Sequence, residues 1–160
     1  MDEAGKYLNV CEPLNIEKAL TNEQIVAAMN TTEKIFLIDD DQFYLFSMKR
    51  MIEINQLSKS IVEYKNGLEA ITSLKHTLSN SSSHDLPDVI FLDINMPIMN
   101  GWEFMEAYEA IVEGIPKEIK IYMVSSSIDE NDRKKAKAYK SVTDYIIKPV
   151  SIAYLKELLS

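Results

Sequence analysis

The sequence holds a single cysteine, Cys11, so no disulfide can close within the chain and a reducing compartment, the cytoplasm, suits it. Long apolar runs are missing. Val89-Ile90-Phe91-Leu92 is representative, whereas a membrane helix needs roughly 20 such residues, so no spanning segment and no membrane partner are expected. The opening Met1-Asp2-Glu3 is acidic and no apolar stretch follows it, so no secretory signal is legible. Positive charge is also short: 17 Lys and Arg stand against 25 Asp and Glu, a net charge of −8. A surface of that sign repels nucleic-acid phosphates and anionic lipid, which argues against direct nucleic-acid binding.

What is present is a core. Of 160 residues, 46% are hydrophobic and 26% charged, the balance of one globular domain and not of a disordered or low-complexity chain. Residues 1–33 differ from the rest: they read as an N-terminal arm with one short helix after Thr21, where Gln24 completes a capping box and Ile25, Val26 and Met29 form a small apolar face. From Lys34 onward, short apolar runs alternate with helical spacing. The runs are Ile35–Ile38, Ile61–Val62, Val89–Leu92, Ile119–Val124 and Tyr145–Ile147, as expected of strands covered on both faces. Tyr44, Met48, Met51 and Ile52 mark one helix face, Leu68, Ile71, Leu74 and Leu78 a second, and Phe104, Tyr108, Ile111 and Val112 a third. Ser127 with Glu130 predicts a capping box for a fourth helix, anchored by little more than Ile128 and Tyr139, and Ser151 caps the last. Five β-α units make an α/β domain with a parallel sheet and right-handed crossovers.

In such a sheet, ligands bind beyond the carboxyl ends of the strands. The first strand runs into Asp39-Asp40-Asp41, the third ends at Asp93, the fourth at Ser125 and the fifth at Lys148-Pro149. A lone Asp after a strand is usually a turn or helix cap, and Asp41 reads better as an N-cap than as a ligand. Acid, acid and base at three strand ends of one sheet call for more. Carboxylates a few Å apart repel by ~1 kcal/mol per pair in water and several-fold more when partly buried, so the cluster needs protonation or a cation. Hard oxygen donors with room for water suit Mg²⁺ or Mn²⁺.

Five segments in order carry a resemblance: Ile35–Asp41, Asn66–Ala70, Phe91–Gly101, Met123–Ser125 and Asp144–Pro149. The chain from 34 to 160 resembles the receiver domain of two-component response regulators, and because it stops after the fifth helix it looks like the stand-alone type. The resemblance implies a flavodoxin-like, doubly wound five-stranded parallel sheet of order 2-1-3-4-5 with helices on both faces. It implies that Asp93 is the phosphoacceptor of a phosphorelay. Mg²⁺ would be held by Asp40, Asp93 and the backbone carbonyl of Asn95, with Asp39 acting through water. Lys148 and Ser125 would contact the phosphoryl oxygens, with a cis bond at Pro149 aiming the lysine inward, and Ser125 and Tyr145 would form the switch. The implied partners are a sensor histidine kinase or a histidine phosphotransfer protein, and a downstream protein target. Two departures stand out: Asn100-Gly101 replaces the usual Asp-Gly, and Ser141-Val142-Thr143 replaces the usual Gly-Ala before the fifth strand.

The rival reading is a Mg²⁺-dependent aspartyl-phosphate hydrolase. Such enzymes place an acid/base Asp two residues after the nucleophile, where this chain has Asn95, so the chain is expected not to be an enzyme. A flavin site is disfavoured because Asp39-Asp40-Asp41 would repel its phosphate. Trp102, after Gly101, is expected near the site. Phe43 and Phe46 lie off the first helix's core stripe and read either as an exposed docking patch, beside Val150–Ile152, or as a face covered by the N-terminal arm.

Overall fold

The computed structural model describes Thr21, residues 32–80 and residues 83–160. The helix expected after Thr21 lies outside these residues. Along the chain come β1 (Thr32–Ile38), α1 (Gln42–Ile54), β2 (Ser58–Tyr64), α2 (Gly67–Ser79), β3 (Val89–Asp93) and α3 (Gly101–Glu109), followed by β4 (Lys120–Ser125), α4 (Glu130–Ala138), β5 (Val142–Ile147) and α5 (Ile152–Leu159). All four strand pairings are parallel and the order is β2-β1-β3-β4-β5. The alternation of runs and helices predicts this parallel α/β sheet, and the resemblance predicts its doubly wound order.

The side-chain period of two sorts the strands into two cores. Ile35 and Leu37 of β1 face α1 and α5, meeting Leu45, Met48, Ile52, Leu155 and Leu159. Phe36 and Ile38 face the other way, toward Ala70, Ile71 and Leu74 of α2, Phe104, Met105 and Tyr108 of α3, and Ala136 of α4. Every residue of β3 is buried, so this central strand is apolar up to Asp93. Each fully buried Ile or Leu there contributes ~1.5–3 kcal/mol relative to exposure.

Several local expectations change. Helix α3 ends at Glu109, and Ile111 and Val112 fall in the turn beyond it, where they still pack on the core. Leu68 is exposed. The cap of α4 is Asp129, whose side chain accepts from Asn131 N–H; the Ser127 hydroxyl instead accepts from Asp129 N–H. Ile128 does not anchor that helix, because it is 80% exposed; Ala136 is the only buried residue of α4. Ser151 does cap α5, with its hydroxyl accepting from Tyr154 N–H.

Candidate functional site

β1 delivers Asp39, Asp40 and Asp41 to the carboxyl edge of the sheet, and each carboxylate takes a different role. Asp41 is the N-cap of α1, accepting from Phe43 N–H at 2.9 Å and Tyr44 N–H at 3.2 Å. Asp39 is buried and fully engaged: one oxygen accepts from Asp41 N–H at 2.9 Å and the other from Lys148 Nζ at 2.5 Å. Asp40 is exposed, and its carboxylate has no hydrogen-bond partner among the described residues. β3 adds Asp93, 7% exposed, with Oδ1 at 2.9 Å from Lys148 Nζ. Oxygens of Asp39, Asp40 and Asp93 lie within 4.8 Å of one another.

Lys148 reaches this cluster from the end of β5. Its peptide N–H donates to Ser125 O at 2.9 Å, and the bond to Pro149 is cis. The ammonium touches Asp39 and Asp93 and also sits 4.2 Å from the centroid of the Tyr44 ring. Burial raises the Asp93 pKa to about 6; the Lys148 hydrogen bond works against that rise, and the charge of Asp39 adds to it. Burial likewise raises Asp39. For Lys148, burial opposes the charge, but the hydrogen bonds to the two carboxylates outweigh it and lift the pKa above the ordinary lysine value. At neutral pH the cluster therefore holds a charged lysine and an Asp93 that is mostly ionised.

Ser125, 1% exposed, lies one residue past the partner of Asp93 in the β3–β4 ladder. Its hydroxyl accepts from Ser127 N–H at 3.1 Å. Tyr145 is buried, and its hydroxyl donates to Ser127 O at 2.9 Å. The two candidate switch residues thus grip one residue's backbone, the N–H from one side and the carbonyl from the other. Asn95 follows Asp93 by two positions in the loop after β3 and is exposed, between the buried Ile94 and Met96. In that loop Ile98 has φ 70, and Met99 N–H donates to Pro97 O at 2.8 Å, a tight positive-φ turn.

Two glycines set the loop against the strand ends. A Cβ on Gly101 would stand 2.5 Å from Asp93 O and 2.9 Å from Ile94 Cα. One on Gly67 would meet Met99 Cγ and Met99 O, each at 2.9 Å. The sequence read Asn100-Gly101 as turn chemistry; the close approach to the backbone of Asp93 is the stronger reason for the glycine. Tyr44 packs on the core as its spacing predicts, but its place against Lys148 is not legible in the stripe. Its signal was a polar-tipped ring three residues after the Asp triplet. Trp102, expected beside the site, turns to α4, stacking on Tyr139 at 6.2 Å with Lys135 Nζ 4.4 Å from its ring centroid. Phe43 is 89% exposed and Phe46 is exposed as well.

A parallel sheet with carboxylates, a lysine and a hydroxyl at its strand ends defines a class, and comparison with known proteins agrees with it. The model of the response regulator receiver domain matches residues 35–160, and the chain belongs to that family, the phosphoacceptor signalling modules of two-component systems. It is similar to a two-component response regulator from Cytophaga hutchinsonii, 29% identical, covering 80% of this chain and 94% of that one with a TM-score of 0.72. A receiver protein from Dyadobacter fermentans is 32% identical, with 79% and 94% covered and a TM-score of 0.66. The transcriptional regulatory protein PrrA of Mycobacterium bovis is 27% identical over 125 residues, 78% of this chain and 47% of that protein. The chain thus spans about half the length of the PrrA relatives it matches. Among the described residues no helix is long and apolar enough to cross a membrane.

Proposed function

We propose that Asp93 accepts a phosphoryl group from a phosphohistidine on a sensor histidine kinase or histidine phosphotransfer protein, and that the chain signals to a downstream protein through the surface this alters. We take residues 34–160 as the receiver unit and 1–33 as an arm. The observation that supports the reading is charge: three carboxylates within 4.8 Å share one ammonium, leaving two negative charges uncompensated. A divalent cation matches that deficit, and an all-oxygen donor set suits Mg²⁺ or Mn²⁺. Asp40, Asp93 and the carbonyl of Asn95 would hold it. Asp39, already committed to Asp41 N–H and Lys148, would act through water. Bound there, the ion supplies neutralisation of the phosphoryl oxygens.

In the transfer, a lone pair on Asp93 Oδ2 forms the new O–P bond. The P–N bond breaks in line, and its electron pair leaves with the imidazole nitrogen. Lys148 exchanges its contact with Asp93 Oδ1 for a phosphoryl oxygen, and the Ser125 hydroxyl donates to another. The acyl phosphate carries about one further negative charge and three strong acceptors. Drawing Ser125 toward them takes its hydroxyl from Ser127 N–H and disturbs the backbone that Tyr145 also holds. The test is intact-mass measurement after incubation with phosphoramidate and Mg²⁺. One phosphoryl group is expected, with none in EDTA and none on Asp93→Ala; full modification of Asp93→Ala would overturn the assignment.

A further inference from the structure

Tyr44 packs on the α1 core face, and its ring also reaches the site lysine. Asp41 caps the helix and accepts from Tyr44 N–H, so Tyr44 sits in the first turn, where side chains lean back toward the helix N-terminus and hence toward the strand ends. There its ring receives the Lys148 ammonium at 4.2 Å from the centroid, the third contact of a group that also touches Asp39 and Asp93. The Tyr44 hydroxyl is buried without a hydrogen-bond partner. Burial holds its pKa well above the usual phenol range, and the charges of Asp39 and Asp93 push the same way, so the phenol stays protonated. An aliphatic side chain would fill the space without an orphaned polar atom. What only an aromatic residue adds is a negative face for a desolvated cation.

From this contact we infer that Tyr44 is a positioning residue for Lys148, its ring holding the ammonium while the lysine trades Asp93 for the incoming phosphoryl group. The inference rests on the phosphoacceptor reading of Asp93. Before transfer the ammonium is fixed by two carboxylates and the ring. During transfer the Asp93 oxygen is lost as a partner, and the ring together with Asp39 keeps the charge on the attack side instead of releasing it to solvent. A cation held by a desolvated ring face is worth about five- to thirty-fold in rate where the ring carries more of the charge in the transition state than before transfer, as it does once the Asp93 oxygen is lost.

The experiment compares unmutated chain, Tyr44→Phe and Tyr44→Leu, each alone and combined with Lys148→Met. It follows phosphorylation by phosphoramidate and Mg²⁺, with the Lys148 ε-methylene shift read by NMR. Tyr44→Phe keeps the face and is expected to phosphorylate at the unmutated rate, with the ring-current shift of Lys148 intact. Tyr44→Leu is expected to lose that shift and to slow about five- to thirty-fold, yet to cause no further slowing in Lys148→Met. Equal rates in Tyr44→Leu and unmutated chain would overturn the inference, as would equal slowing by Tyr44→Leu with and without Lys148. No phosphorylation of the unmutated chain would instead overturn the phosphoacceptor reading, a separate and recognisable result.

Discussion

Replacing Gly101 by alanine places one methyl group against the backbone that carries Asp93. The new Cβ would stand 2.5 Å from Asp93 O, 2.9 Å from Ile94 Cα and 3.2 Å from Asp93 C, where ordinary contact begins at 3.4 Å. Relief of the shortest contact therefore needs about 0.9 Å of movement, the difference between 3.4 and 2.5 Å. None of these atoms belongs to a flexible side chain, and Gly101 N–H is also tied to Ile94 O at 2.8 Å. Overpacking of this kind costs about 1–3 kcal/mol, and a rigid backbone neighbour places it in the upper half. The better helix propensity of alanine returns at most ~1 kcal/mol, leaving about 1–2 kcal/mol of net destabilisation. For a chain of this size that is a Tm lower by roughly 2–8 °C. Function should suffer more than stability, because displacing Asp93 disturbs its 2.9 Å contact with Lys148, and a 1 Å misplacement can cost on the order of 10²-fold in rate. Urea denaturation and an intact-mass time course with phosphoramidate measure both effects. Gly114→Ala is the control: nothing lies within 4 Å of its added Cβ and its φ is not positive, so it should be neutral or slightly stabilising. A Gly101→Ala chain as stable and as quickly phosphorylated as Gly114→Ala would refute the reasoning.

Ile98 offers a test of sign: with φ 70 and 75% exposure it bears backbone strain and has little burial to lose. Ile98→Gly should be more stable than Ile98→Ala by about 0.5–1 kcal/mol in urea titrations, the reverse of the usual order, and alanine as the more stable variant would sink the claim. At the opposite edge of the sheet Asp88 accepts from Lys34 N–H at 2.9 Å and Lys117 Nζ at 2.7 Å, joining the starts of the strands. Burial opposes its charge, but Lys117 and the Lys34 N–H outweigh it and hold the carboxyl below the usual aspartate range. A depressed folded-state pKa gives stability that is present above the unfolded value and lost as pH falls through the folded one. Asp88→Asn should therefore cost about 1 kcal/mol at pH 7 and progressively less below about pH 4; a deficit unchanged at pH 3 would contradict this.

The strands that the sequence shows best are those buried on both faces. β1, β3 and β4 appear as apolar runs because each lies between two helical layers. β2 is an edge strand of half-buried residues, Ser58 to Tyr64, and only Ile61-Val62 stand out from it. Apolar spacing reports burial and not hydrogen bonding, which is why Ile111 and Val112 extend the apparent face of α3 although the helix has ended at Glu109. Ser127 and Asp129 are both good caps two positions apart, and nothing local ranks them; in the fold Ser127 lends its backbone to Ser125 and Tyr145, and the cap falls to Asp129. The acidic cluster and Lys148 were legible because unlike charges at strand ends have few other reasons to coincide. Tyr44 was not, since at its position the spacing of a core residue and of a residue under the site is the same.

These contacts also decide where a change at Asp93 would be felt. β3 and β4 cannot shift readily: β3 is wholly buried, and moving it would expose ~1.5–3 kcal/mol of burial per large residue. Helix α4 is held by much less. It buries Ala136 alone, and its outer contacts are Lys135 and Tyr139 on the Trp102 ring and Arg133 near the Tyr145 ring. A lost Ser125–Ser127 hydrogen bond is worth ~1 kcal/mol, small against the core and comparable to any one of the contacts that seat α4. On the proposed reading, the same event would loosen the backbone to which the Tyr145 hydroxyl is tied, so that the loop and the ring would shift together and not in sequence. On that reading, the strain of phosphorylation would be directed to the α4–β5 side, because that is where the opposing free energy is smallest.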